Sequence, residues 1–169
     1  IPLVRLWPES QSLVLKAAIL TRLDEPKQAV AILTKVLAED PLDFLAANEL
    51  ATAYRESNSR GRAETTLRDL ETEMQRDLQA YLELTTDYVN WGFWDDARDV
   101  LTRAARDKTD LAGRSPLVYY YLGFIHEQKG DSTLADGFYG QAGQMPSDYC
   151  FPFRAETATV LRAAIAHNP

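Results

Sequence analysis

The sequence predicts an all-α fold, a solenoid of four helix hairpins followed by one C-terminal helix. Small residues recur as Ala29, Ala63, Ala97 and Ala135, at intervals of 34, 34 and 38 residues. Two independent series keep the same phase: Leu20, Tyr54, Tyr88 and His126, then Leu33, Leu67, Leu101 and Tyr139. Three series sharing one spacing mark an internal repeat of helix-pair size. No segment alternates with the period of two that a strand requires, whereas apolar residues recur three to four apart along most of the chain.

The elements follow in order. Residues 1–9 carry Pro2 and Pro8 and are expected as an extended lead-in or the frayed end of a preceding unit. The first unit, about 10–41, takes helices 10–23 and 26–39, in which Leu13, Ala17, Leu20, Ala29, Leu33 and Val36 keep the phase. The second, 42–76, takes helices 42–57 and 60–76. Leu45, Leu50 and Tyr54 line the first, and Ala63, Leu67 and Leu70 the second. Asn58-Ser59-Arg60-Gly61 between them tolerates left-handed backbone. The third unit, 77–114, takes helices 78–91 and 94–107, and a polar loop over 108–115 absorbs the four extra residues of the last interval. The fourth, 115–147, opens on Ser115-Pro116, an N-cap with proline in the first turn. Its first helix runs over 116–129 and ends at Gly130, and Asp131 caps a helix over 132–144. A last helix over 153–167 either closes the array or, the reading favoured by its lack of a strongly polar face, joins it to further repeats. The whole is expected as one repeat domain over 1–169. Beginning at Ile1 and ending at Pro169, it reads as a piece of a longer protein.

Composition narrows the function. Apolar residues make up 46% of the 169 and charged residues 25%, an ordinary globular balance. With 18 basic against 25 acidic side chains the net charge is −7, and no run of Lys or Arg occurs. Nucleic acids and anionic membranes demand a cationic surface, so neither is an expected partner. Cys150, the one cysteine, cannot form an internal disulfide, which fits a reducing, cytoplasmic location. No stretch of 18 or more apolar residues suggests a membrane span.

These residues resemble the tetratricopeptide repeat family, whose 34-residue unit follows W-x2-L-G-x2-Y, then A-x3-F, then P. The fourth unit matches best, with Tyr119, Leu122, Gly123 and His126, then Ala135, Tyr139, Ala142 and Pro146. The third supplies Tyr81, Leu84, Tyr88, Gly92, Ala97, Leu101 and Ala104. The resemblance covers about 10–146 and implies a right-handed superhelical solenoid. It implies a protein-interaction scaffold too, whose concave face, lined by the first helix of each unit, holds a peptide or a neighbouring domain of the same chain. Carried over by phase, that face is expected to present Asn48, Thr52, Arg55, Thr86, Asn90, Tyr120, Phe124 and Glu127. One subset of the family clamps acidic C-terminal peptides with Lys, Asn and Arg. The matching positions here are Val14, Ala18, Asn48 and Leu82, so that ligand is not expected, and a net-negative molecule suits a neutral or basic partner. Tyr149-Cys150-Phe151-Pro152 with its following helix also looks like a junction in helical portions of large bacterial proteins carrying a mutarotase-like, carbohydrate-associated domain. That likeness implies an accessory module. Self-association through exposed solenoid ends is a further expectation.

Catalytic constellations are not expected. Glu83 and Asp87, four apart on one helix, read as a solvated pair before a glycosidase dyad. Asp95 and Asp96 at a helix start read as capping groups. His126 and His167 lack zinc-ligand spacing, and no nucleophile elbow or phosphate loop occurs. Cys150 reads as a packing thiol. Trp91, Phe93 and Trp94 could stack on a sugar, but at an interhelix turn they are expected to cover a hydrophobic seam. No enzyme activity, cofactor or metal is therefore expected. The register itself is testable: Ala97→Leu should overpack a close helix crossing and cost about 1–3 kcal/mol, read as a lowered midpoint in a circular dichroism melt. An unchanged midpoint would displace the register.

Overall fold

A computed structural model describes residues 3–106, 111–148, 150–151 and 154–167, and among them every regular element is a helix. In chain order these are α1 (Leu3–Arg22), α2 (Pro26–Glu39), α3 (Phe44–Glu56), α4 (Arg60–Glu73), α5 (Leu78–Trp91), α6 (Trp94–Ala104), α7 (Leu111–Arg114), α8 (Pro116–Gln128), α9 (Ser132–Gly143) and α10 (Ala155–His167). Two compact units divide the chain, Ile1–Gln75 and Arg76–Pro169.

Short polar side chains set the helix starts. Asp43 Oδ1 accepts from the Ala46 amide at 2.8 Å, Asp77 Oδ2 from Ala80 at 3.0 Å, and Asp131 Oδ1 from Leu134 at 3.1 Å. Ser115 Oγ accepts from Leu117 at 3.3 Å, with Pro116 following it as expected. Each such cap satisfies an amide that the helix leaves unbonded, worth about 1 kcal/mol. Gly92, at φ 73°, stops α5 in the left-handed conformation that only glycine adopts without strain. Asn58, at φ 59°, turns the chain after α3 as the Asn-Ser-Arg-Gly stretch predicts.

The sequence and the structure part company at three places. The helix α1 begins at Leu3 and takes in Pro8, where an extended lead-in was expected over 1–9. Pro8 has no N–H to give, so α1 runs through it with one intrahelical bond fewer. The fourth helix ends at Glu73, three residues before the expected 76, because Gln75 and Arg76 take positive φ (50° and 56°). The loop expected over 108–115 carries a turn of helix, α7; its residues 108–110 lie outside the described residues, as do Tyr149 and Pro152 of the Tyr-Cys-Phe-Pro segment. The last helix, α10, packs on α8.

Within the first unit α1 pairs with α2 and α3 with α4, and α2 packs on α3. Ala17, Ala29, Leu33 and Ala53 are fully buried where these helices meet. A charged contact joins α1 to α3. Arg22 Nη1 lies 3.1 Å from Glu49 Oε2 and donates to the Ala18 carbonyl at 2.7 Å; Glu49 has no solvent exposure. An uncompensated carboxylate there would be costly, so the pair fixes how α1 sits against α3.

Within the second unit α5 pairs with α6 and α8 with α9, while α6 packs on α8. Ala97, Leu101, Ala135 and Tyr139 are buried, as are Tyr88 and Tyr121. Tyr119 donates its hydroxyl to the Gly113 carbonyl at 3.1 Å, tying α8 to α7. The crossing between α8 and α9 is close: a Cβ on Gly123 would fall 2.5 Å from Cδ1 of Tyr139. Tyr139 is itself buried and cannot swing aside. Gly123→Ala should therefore destabilise the chain by about 1–3 kcal/mol in urea unfolding, although alanine favours helix intrinsically. A stability gain would show that the ring can move.

Candidate functional site

The eight expected contact residues are distributed over α3, α5 and α8. In the first unit, α3 carries Asn48, Thr52 and Arg55. Asn48 is buried, so it offers no surface to a ligand; the helical period put it on the right helix but did not reveal that helix packing covers it. Thr52 is half-buried and donates its hydroxyl to the Asn48 carbonyl at 3.2 Å, and Arg55 is exposed. In the second unit, Thr86 is buried and donates to the Leu82 carbonyl at 2.8 Å, which corrects its expected place on the surface as well. Asn90 is exposed, and Tyr120, Phe124 and Glu127 are half-buried. Phe124 meets Trp94 of α6 edge-on, with ring centroids 6.3 Å apart.

Within the second unit the faces of α5 and α8 are already engaged by α10. Asn90 Nδ2 donates to Glu156 Oε1 at 3.4 Å, and Glu83 Oε1 pairs with Arg154 Nη2 at 3.3 Å. Further along, the hydroxyls of Tyr121 and Thr157 are 2.9 Å apart, and both are buried. Tyr120 packs against Ala135, Tyr139 and Ala164. On α10 the buried side chains are Thr157, Val160 and Ala164, at positions i, i+3 and i+7, so one stripe faces the bundle.

The last turn of α10 ends in a charged cluster. His167 Nδ1 lies 2.7 Å from Asp136 Oδ1 on α9, and its Nε2 lies 3.3 Å from Glu127 Oε1 on α8. Its ring leans on Tyr139 at 5.1 Å between centroids. Tyr139 in turn donates its hydroxyl to Glu127 Oε2 at 2.7 Å; burial, then that carboxylate, pushes the phenol far above its ordinary range. The hydrogen bond to Asp136, then that to Glu127, raises the His167 pKa above the usual histidine value. A cation at a helix C-terminus is also favoured by the helix dipole.

The residues weighed for chemistry have other partners. Glu83 receives Gln79 Nε2 at 2.9 Å as well as Arg154. Asp95 and Asp96 lie in the first turn of α6, but Phe93 occupies the cap position. The Asp95 carboxylate goes to Lys129 and to Arg98 at 2.9 Å, and the Lys129 hydrogen bond holds its pKa below the usual value. His126 is buried against Phe138, stacked at 5.3 Å, and desolvation lowers its pKa. Trp91 meets Tyr88 at 6.0 Å and Phe93 at 5.8 Å, both edge-on, which is the seam-covering role. Cys150 is half-buried and burial raises its thiol pKa, the opposite of an activated nucleophile. Among the described residues no helix is long and apolar enough to cross a membrane.

No family model and no curated protein matches the chain. Several solved structures do. PilF of Pseudomonas aeruginosa is 15% identical over 94% of this chain and 69% of its own, with a TM-score of 0.42. MamA is 19% identical, covering 85% and 88%, with a TM-score of 0.42. A thermophilic TPR protein from Thermus thermophilus is 18% identical, covering 91% and 80%, with a TM-score of 0.41. Superpositions at these scores are loose. The tetratricopeptide-type character of the fold stands on the hairpins and small-residue register of this chain, and the likeness to a mutarotase-associated segment finds no support.

The cluster at the end of α10 makes its seating pH-dependent. Because docking raises the His167 pKa, the stabilisation is complete below the free value of about 6.5 and declines as pH climbs through the raised one. Amide exchange across α10, corrected for intrinsic rates, should therefore show less protection at pH 8.5 than at pH 6. The change should be small because the ring is partly solvated, and it should vanish in His167→Gln. Equal protection at both values would remove the proton from the account.

Proposed function

We propose that the chain is a non-catalytic protein-interaction scaffold that holds a peptide segment or a neighbouring domain on the face lined by the first helix of each hairpin. The observation that supports this reading is the seating of α10, a helix held against the faces of α5 and α8. Three of the contact residues taken from the repeat phase, Asn90, Tyr120 and Glu127, are the ones it engages. Helix-in-groove binding recognises amphipathic segments by side chains at i, i+3 and i+7, the spacing that Thr157, Val160 and Ala164 display. Phe124 completes the proposed contact set of the second unit, where the aromatic residues supply the anchors typical of interfaces; in the first unit Thr52 and Arg55 are the proposed contacts.

Site-specific photocrosslinking tests the reading. A benzophenone side chain in place of Arg55 or Phe124 should give adducts with partner proteins in cell extract. The same group at Thr102, exposed on α6, should give none. Equal adduct yield from all three positions would mean that binding does not use the first-helix face.

A further inference from the structure

We infer that the α5, α8 and α9 surface of the second unit is a receptor for an amphipathic helix of about four turns with a cation at each end, and that α10 is its resident occupant in cis. The inference rests on the scaffold reading and names the partner's chemistry.

Carboxylates bracket the surface. At one end Glu83 takes Arg154, and at the other Glu127 and Asp136 take His167. Arg154 and His167 are 13 residues apart, a span of about 20 Å along a helix at 1.5 Å per residue. Between them the buried side chains are small or β-branched: Thr157, Val160 and Ala164. A partner helix must therefore present a narrow stripe of such residues so that its backbone comes close, with its cations spaced to reach both acidic ends. In a chain of net charge −7, Arg154 just before α10 and His167 at its end are both turned toward acids, and an external helix of that pattern meets the same complementarity.

The hold on α10 is light enough to be exchanged. It buries three residues, whereas α8 buries nine, and its terminal ion pairs are partly solvated and screened. What keeps it in place is the short connection from α9, which gives it an effective concentration on the order of millimolar. A partner helix must outcompete that tether, so the occupied surface reads only ligands that fit better than α10 does.

The test uses the full chain and a fluorescent synthetic peptide with the sequence of residues 154–167. Val160→Asp combined with Ala164→Asp should unseat α10 while leaving the receptor side chains untouched; loss of α10 amide protection verifies this. By fluorescence anisotropy the peptide should then bind the unseated chain at least tenfold more tightly than the wild-type chain. Adding Glu83→Arg to the unseated chain should weaken binding severalfold, and a peptide with Arg154→Glu should restore it. Should the double variant fail to fold, unlabelled peptide added to the isotopically labelled wild-type chain must instead accelerate exchange of the chain's own α10 amides. Equal affinity for seated and unseated chains, no rescue by the charge swap, or no acceleration of exchange would each overturn the inference. Photocrosslinks from Phe124 that persist under any of those results would leave the scaffold reading standing and the partner chemistry wrong.

Discussion

Every hairpin in this protein depends on two helix backbones coming close at one small residue. Ala29, Ala63, Ala97 and Ala135 occupy those crossings, and all four are buried. A side chain no larger than Cβ lets two helix backbones approach toward the lower end of the usual 8–10 Å. Large residues then fill the space to either side: Leu33 on α2, Tyr88 on α5, Leu101 on α6 and Tyr139 on α9. Since each hairpin solves the same packing problem, the small and large residues return at the same interval, which is how a constraint on distance becomes a periodicity in sequence. Gly123 carries the rule to its limit, with α8 so near α9 that even a Cβ would overlap the Tyr139 ring.

That origin explains what could be read in advance. Helix ends are local events, written by Asp43, Asp77, Ser115 and Asp131 at the starts and by Gly92 at a stop, so most boundaries of α2 to α9 were legible within a few residues. The exceptions are equally physical. A proline signal near residue 8 was read as a break, but the structure continues the helix through it. The end of α4 is set by two successive left-handed residues, Gln75 and Arg76, that carry none of the usual glycine signal.

How exposed each candidate contact residue is was not legible from the repeat. Phase put Asn90, Tyr120, Phe124 and Glu127 on helices that can line a face, because the repeat fixes which helix of each hairpin a residue belongs to. It did not separate exposed from covered positions on that helix, and so it included Asn48 and Thr86, which are buried. The seating of α10 left no periodic trace either. It depends on Tyr121 meeting Thr157 across 36 residues and Asn90 meeting Glu156 across 66, pairings that obey shape and hydrogen bonding but no repeat.

Two kinds of ionic contact divide the labour. Glu49 is wholly buried, and Arg22 reaches it while also bonding the Ala18 carbonyl, so separating the pair would strand a charge in the core. Such a contact locks α1 against α3 and does not exchange. The pairs at the two ends of α10 are of the opposite kind: Arg154, Glu83, His167 and Glu127 all keep water, so each bond exchanges for hydration at little net cost. These outer pairs set orientation and register, and the buried stripe of Thr157, Val160 and Ala164 sets how closely the helix approaches. The helix is thereby oriented by solvated charges at its ends while Val160 and Ala164 join the buried core of the second unit.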